Sequence, residues 1–195
     1  MALVNPIKVH LYQVGDPFLG GSFDTFLDAL DKSFCTYEGG DNATEGDAVY
    51  PDKAHPTGYQ GPTQCGGFAL TKVISNSYGH NEAAHSFKYN ARQCFEYGKL
   101  GLQGSSILYS SGDYGVAGSG GQCMLANGTA TDGTSGMFTP QFPASCGYVT
   151  SVGATQVKTN ASSLATKPEK ACETVIYSGG GFSNEFAMPS YQVSP

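Results

Sequence analysis

An aspartate that directly follows a predicted β-strand is the residue of this sequence best placed for chemistry. Asp113 comes just after a strand predicted over Ser105–Ser111, and Ser77-Tyr78-Gly79 lies at the end of a strand predicted over Lys72–Tyr78. Ligands of open α/β sheets bind beyond the carboxyl ends of the strands, so a carboxyl group at this position can meet a substrate. An ordinary turn aspartate is the alternative interpretation. The neighbouring segments at the ends of other strands, such as Ser77-Tyr78-Gly79, favour a functional aspartate.

Other common catalytic and metal-binding motifs are missing from the sequence or have the wrong spacing. The sequence contains no Gly-x-Ser-x-Gly elbow, no Gly-x-Gly-x-x-Gly fingerprint and no phosphate-binding loop. His80 and His85 lie five residues apart around Glu82, whereas a zinc-protease helix has its histidines four apart. We therefore predict no metal site in this chain, and we interpret Asp132–Gly136 as a surface turn.

A strand–helix–strand unit should position Asp113. The strands predicted over Lys72–Tyr78 and Ser105–Ser111 flank a helix predicted over Glu82–Leu100. Such a βαβ unit pairs its two strands in parallel, or nearly so. A further strand predicted over Tyr148–Ala154 extends an α/β sheet with parallel strands. The residues that should form the buried helix face are Phe87, Ala91, Cys94, Phe95 and Gly98.

The first third of the sequence predicts a strand, a helix and a long loop. Ile7–Val14 alternates loosely between apolar and polar residues, which favours a short strand. A helix should begin after an N-cap at Ser22 and end near Lys32. Between Cys35 and Cys65 no period is sustained, which indicates a surface loop that disulfides could tie down. The helix face is predicted from the spacing of Phe23, Phe26, Leu27, Leu30 and Phe34.

The overall composition excludes two classes of partner. Ten Lys and Arg residues stand against 16 Asp and Glu residues, which gives a formal net charge of -6. No basic surface is therefore available for a nucleic-acid backbone. No run approaches the ~18 consecutive apolar residues of a membrane-spanning helix. We expect neither nucleic acid nor a membrane as a partner.

Cysteine usage predicts a secreted protein. The six cysteines include no Cys-x-x-Cys pair, so disulfides are favoured over zinc, with about 15 possible pairings left open. Glycosylation sequons begin at Asn42, Asn127 and Asn160, although two or three can arise by chance in such a sequence. The residues after Met1 do not have the pattern of a signal segment. We therefore expect an interior piece of a longer, exported protein.

The order of several segments resembles the sedolisin family of serine-carboxyl peptidases, in particular secreted fungal tripeptidyl peptidases. The resemblance runs through nearly the whole chain, and its segments occur in the order of the family. These segments are Leu11–Asp16, Tyr50–Asp52, Gly58–Pro62, Val73–Ala83, Arg92–Cys94, Gly101–Gly104, Ser111–Asp113, Phe142–Cys146 and Gly179–Ser183.

The resemblance implies a fold and a set of site residues. It implies an α/β, subtilisin-like three-layer fold with a mainly parallel sheet, incomplete at both ends, with disulfide-tied loops. Residues 1–195 would then be the interior portion of a single peptidase catalytic domain. Asp113 matches the oxyanion-hole aspartate of the family. Ser77, Tyr78, Gly79 and Gly112 match the segments that hold the substrate.

The other functional residues of the family do not carry over. Its Glu and Asp pair precedes the segment matched by Leu11–Asp16, and its nucleophilic serine and calcium site follow the segment matched by Gly179–Ser183. Gly133-Thr134-Ser135 cannot replace the nucleophile motif, because it precedes Phe142–Cys146. We expect cleavage of peptide or protein substrates at acidic pH by the complete domain, which would also hold calcium, and no activity from this chain alone. The alternative is a secreted, glycosylated binding module that kept the scaffold and lost the chemistry.

Overall fold

A computed structural model describes residues 2–38, 42, 44–158 and 169–193 of the chain. They form two compact units, one ending at Leu70 and the other beginning at Thr71. The sequon residue Asn160 lies outside the described residues. Asn127 occupies an exposed turn, where its side-chain oxygen accepts a hydrogen bond from the Thr129 N–H at 3.1 Å.

The helix of the first unit, α1 (Phe23–Leu30), begins where the sequence predicts. The Ser22 hydroxyl accepts a hydrogen bond from the Thr25 N–H at 3.1 Å, and the Thr25 hydroxyl accepts one from the Ser22 N–H at 3.0 Å. This reciprocal pair satisfies two backbone donors that the first turn of a helix leaves open. The predicted N-cap is confirmed.

The end of α1 comes slightly earlier than predicted. The Asp31 carboxylate accepts hydrogen bonds from the N–H groups of Ser33 and Phe34, at 2.7 and 3.1 Å. A side chain that binds nearby backbone donors competes with the regular helix. The chain leaves α1 at Asp31 and forms a separate π-helical turn over Phe34–Glu38. Phe34 is buried, as the predicted helix face requires.

The strand predicted over Ile7–Val14 is wrong. After a short 3₁₀ turn over Ala2–Val4, the chain is irregular, and among the described residues its nearest β-bridge joins Gly15 to Gly20. A strand needs a neighbour that completes its backbone hydrogen bonds. The apolar side chains of the alternating pattern are also exposed, with Leu11 at 87%. The predicted disulfide-tied loop is confirmed, since Cys35 is bonded to Cys65.

A three-stranded parallel sheet organises the second unit. Its strands are β1 (Val73–Asn76), β3 (Ser106–Ser110) and β5 (Thr150–Val152), in the spatial order β1-β3-β5. Ile74 pairs with Ile107 in the first ladder and Leu108 pairs with Thr150 in the second, and both ladders are parallel. The helix α2 (Phe87–Leu102) connects β1 to β3. The predicted βαβ unit and parallel sheet are confirmed.

The described part of the second unit also contains two small antiparallel pairs and three 3₁₀ turns. One pair joins β2 (His80–Asn81) to β4 (Gln141–Phe142), and the other joins β6 (Thr155–Val157) to β7 (Glu169–Ala171). The 3₁₀ turns cover Glu82–Ala84, Ser119–Gly121 and Ser190–Gln192.

The buried face of α2 differs from the predicted one. Phe87 and Phe95 are exposed at 55% and 66%, whereas Asn90 and Tyr97 are fully buried. Polar groups can be buried when hydrogen bonds replace their contacts with water. The hydroxyl groups of Tyr97 and Tyr109 lie 2.7 Å apart, which joins α2 to the sheet. The predicted helix is confirmed, but it begins at Phe87 instead of Glu82. Apolar spacing predicts the burial of Cys94 correctly and misses Asn90 and Tyr97, because the sequence does not display these hydrogen bonds.

A second disulfide fixes α2 to the loop that follows β4, through Cys94 and Cys146. Cys123 and Cys172 are free. The two described disulfides, the parallel sheet and the connecting helix confirm the predicted α/β class with disulfide-tied loops. Across the described residues, no helix combines the length and the apolar character needed to cross a membrane.

Candidate active site

The carboxyl ends of β1 and β3 place the predicted site residues at one edge of the sheet. Asn76 and Tyr109 are paired in the parallel ladder. Ser77-Tyr78-Gly79 and Ser111-Gly112-Asp113 therefore leave the sheet on the same side. The side chains of Ser77, Tyr78 and Asp113 are exposed, so a ligand can reach them.

Gln141 brings two of the predicted site residues together. A Cβ atom added to Gly79 or to Gly112 would lie 2.9 Å from Oε1 of Gln141. Gly112 also has a φ of 107°, in a region that other residues rarely adopt. The Gln141 amide nitrogen donates a hydrogen bond to the Ser119 hydroxyl at 2.7 Å. Sequence reasoning missed Gln141, although it lies directly before the family segment Phe142–Cys146.

The turn that carries Asp113 is fixed by its backbone. The Gly112 carbonyl accepts a hydrogen bond from the Gly179 N–H, and the Asp113 carbonyl accepts one from the Tyr177 N–H, both at 2.8 Å. The Gly180 N–H donates to the Gly115 carbonyl at 2.9 Å. The Asp113 carboxyl group therefore projects from a fixed backbone. The oxyanion role that the family resemblance implies for Asp113 stays a prediction.

A cavity of about 800 Å³ lies next to the end of β3. Its lining includes Ser111, Ser145 and the segment Gly179–Ser183, together with apolar side chains such as Phe182. The hydroxyl oxygens of Ser111 and Ser145 are buried without a hydrogen-bond partner. Apolar walls with a few oriented polar groups are the usual composition of sites for small organic ligands.

The two histidines of the His80–His85 motif lie next to each other. The rings of His80 and His85 contact each other, with their centroids 4.4 Å apart, and Nε2 of His80 lies 3.4 Å from Oδ1 of Asn90. No three His, Cys, Asp or Glu side chains within the described ranges are grouped as metal ligands. Asp132–Gly136 is an exposed turn, as predicted.

Burial lowers the pKa of His80 to about 4, and the neighbouring His85 contributes to the decrease. The hydrogen bond with Asn90 acts in the opposite direction. Transfer of the charged imidazolium out of water is unfavourable, so His80 is neutral in the folded protein at neutral pH.

We expect Gly112→Ala to destabilise the protein by about 2–4 kcal/mol, because it combines backbone strain with a steric overlap. Gly120→Ala is the matched control, since Gly120 also has a positive φ, of 76°, but open space where a Cβ would lie. Its cost should be about 1 kcal/mol. Urea denaturation measures both, and Gln141→Ala should recover part of the loss in Gly112→Ala. Equal losses at the two glycines would contradict this account.

We expect neutral His80 to make stability depend on pH. Its pKa falls from 6.5 in the unfolded chain to about 4 in the fold. Its contribution is therefore complete above pH 6.5 and is lost as the pH decreases toward 4, by up to about 3 kcal/mol. The difference in unfolding free energy between wild type and His80→Gln, measured between pH 7.5 and 4, isolates this contribution. Parallel stability curves for the two proteins would show that His80 does not titrate as described.

Comparisons with known proteins identify the family. No protein-family model matches the chain. Aorsin from Aspergillus oryzae is 45% identical over 203 residues, which cover 97% of this chain and 30% of aorsin. Tripeptidyl-peptidase SED1 from Arthroderma otae is 39% identical over 214 residues, which cover 100% of this chain and 31% of the relative.

The matched relatives are longer than this chain, which spans about 30% of their length. A solved structure of Pseudomonas sedolisin (serine-carboxyl proteinase), complexed with two molecules of pseudo-iodotyrostatin, is 24% identical, with a TM-score of 0.43. The match covers 63% of this chain and 33% of that one. Because the similarity to these relatives runs over nearly the whole of this chain, the chain belongs to the sedolisin family of serine-carboxyl peptidases.

Proposed function

We propose that this chain is the interior part of an acidic serine-carboxyl peptidase that cleaves peptide or protein substrates in the manner of a tripeptidyl-peptidase. The observation that carries the proposal is the position of Asp113, on a backbone-fixed turn beside the ends of two parallel strands. Tripeptidyl-peptidase SED1 matches the whole chain, which supports the same reaction. Residues 1–195 then form part of one catalytic domain.

The proposed chemistry is acyl transfer from a peptide bond. Such a reaction needs a nucleophile, a base that takes its proton, and donors aimed at the oxygen that becomes negative in the tetrahedral intermediate. Asp113 supplies a donor only in its protonated form, since an ionised carboxylate has no proton to give. One such donor contributes about 3 kcal/mol of transition-state stabilisation, or roughly a hundredfold in rate.

The other predicted residues bind the substrate. In this proposal an extended peptide lies along the strand end at Ser77, Tyr78 and Gly79, where the side chains of Ser77 and Tyr78 are exposed. Gly112 allows the substrate to approach the turn closely, because it has no side chain. We propose that the nucleophilic serine and the Glu and Asp pair of the family lie outside these 195 residues. The 195 residues alone are therefore inactive in this proposal, and calcium binds elsewhere in the complete domain.

We also propose that the protein is exported from the cell. Cys35–Cys65 and Cys94–Cys146 are disulfide-bonded, and structural disulfides persist mainly in oxidising compartments. The sequon at Asn127 lies in an exposed turn that a glycosylating enzyme can reach. Mass spectrometry of the protein from culture medium, before and after enzymatic removal of glycans, tests both points.

The decisive variant is Asp113→Asn in the full-length peptidase. An asparagine amide donates a hydrogen bond at every pH, so we expect activity to extend toward neutral pH. A fluorogenic tripeptide assay between pH 3 and 8 measures the profile. Asp132→Asn is the matched control, because Asp132 is an exposed turn aspartate away from the strand ends, and its profile should follow wild type.

Loss of activity at every pH with the fold intact would show that Asp113 has a different role. Cleavage of the tripeptide by the isolated 195 residues would contradict the proposal that the nucleophilic serine and the Glu and Asp pair lie outside them. Binding of peptides without cleavage by the full-length protein would instead favour the non-catalytic binding module.

A further inference from the structure

We propose that Glu82 is a positioning residue that holds the segment Tyr177–Asn184 against the turn of Asp113. This inference deepens the proposed peptidase function and rests on it. Glu82 lies on the 3₁₀ turn after β2 and is completely buried. A carboxyl group is rarely buried to this extent unless it is well paired.

Both carboxyl oxygens of Glu82 bind the same distant segment. The Ser183 hydroxyl donates to Oε2 at 2.6 Å, and the Asn184 N–H donates to Oε1 at 2.5 Å. The donors lie 101 and 102 residues from Glu82 in sequence. Hydrogen bonds to a carboxylate are shorter and stronger than those between neutral groups. These two bonds therefore fix the far end of the segment.

The backbone of Glu82 is itself held in place. Its N–H donates to the Pro140 carbonyl at 3.1 Å, and its carbonyl accepts a hydrogen bond from the Asn90 side chain at 2.5 Å. Asn90 is a buried residue of α2. Since α2 and the residue before β4 fix Glu82 from two sides, its carboxyl group is a rigid point of attachment.

The near end of the segment is bound to the proposed active site. Tyr177, Gly179 and Gly180 donate their N–H groups to the carbonyls of Asp113, Gly112 and Gly115. The segment therefore bridges Glu82 and the Asp113 turn, with Gly181 and Phe182 between the two attachments. Phe182 is 89% exposed, so little packing holds this middle part. The hydrogen bonds at both ends therefore hold the segment in position.

The hydrogen bonds of the Ser183 hydroxyl require a hydrogen-bond acceptor in the side chain at position 82. It donates to Glu82 and also accepts hydrogen bonds from the N–H groups of Glu185 and Phe186, at 3.0 and 2.8 Å. In Glu82→Gln the side-chain NH₂ would face either the Ser183 hydroxyl, whose lone pairs are already used, or the Asn184 N–H, which is itself a donor. This isosteric substitution therefore removes one attachment and keeps the shape of the side chain.

Glu185, the residue directly after the segment, offers a matched control. Its carboxyl group accepts a hydrogen bond from the Asn90 side chain at 2.9 Å, and it is partly buried. Burial raises the pKa of Glu185, with Glu82 adding to the rise and the Asn90 bond opposing it. Glu185→Gln changes a nearby charge and leaves both attachments of Glu82 in place.

The test measures kcat, KM and native-state hydrogen exchange in the full-length protein. We expect Glu82→Gln and Ser183→Ala to lower kcat about tenfold, as for the loss of one charge-assisted hydrogen bond. KM for the tripeptide should stay within about twofold, because the oxyanion donor acts mainly in the transition state. The N–H groups of Gly179, Gly180 and Asn184 should exchange faster. Glu185→Gln should match wild type in all of these measurements.

Three results would overturn the inference. Unchanged exchange in both variants would show that Glu82 does not hold the segment. Faster exchange with unchanged kcat would show a structural role only. A higher KM with unchanged kcat would show that the segment binds substrate without positioning the reacting groups. A wild-type protein that cleaves no peptide at any pH would instead refute the proposed function, independently of the exchange data.

Discussion

The parallel pairing of β1, β3 and β5 is the constraint on which the proposed site depends. Parallel strands end at the same edge of a sheet, so residues that are distant in sequence, such as Asn76 and Tyr109, become neighbours. The helix α2 makes this pairing possible, because it returns the chain to the starting edge of the sheet. Its attachment through Tyr97, Tyr109 and the Cys94–Cys146 disulfide fixes the connection.

Much of the fold could be predicted from the sequence, because the relevant signals are local. Ser22 and Thr25 form a cap within one turn, and strand length and glycine positions mark β1 and β3. The parallel sheet and its connecting helix confirm the predicted α/β class. The strand predicted over Ile7–Val14 is wrong because a strand needs a neighbouring strand, which its own apolar pattern does not specify.

The site could be predicted only in part. Asp113 and Gly112 carry a recognisable motif at a strand end, whereas Gln141 and Glu82 act through contacts with distant residues. The Glu82 carboxyl group accepts a hydrogen bond from the Ser183 hydroxyl, 101 residues away in sequence, and no local sequence pattern predicts that pair. The same holds for the buried face of α2, where hydrogen-bonded Asn90 replaces the apolar Phe87 that spacing favoured. A polar side chain is buried where it has hydrogen-bond partners, and the fold determines which groups those partners are.

The central claim is that a protonated Asp113 donates a hydrogen bond to the oxygen that becomes negative during peptide cleavage. A crystal structure of the full-length protein with a peptide aldehyde bound to its nucleophile, at acidic pH, tests this most directly. The account predicts a distance of about 2.5 to 3.0 Å between an Asp113 carboxyl oxygen and the hemiacetal oxygen. An Asp113 side chain directed into solvent, with the hemiacetal oxygen bound by other donors, would contradict it.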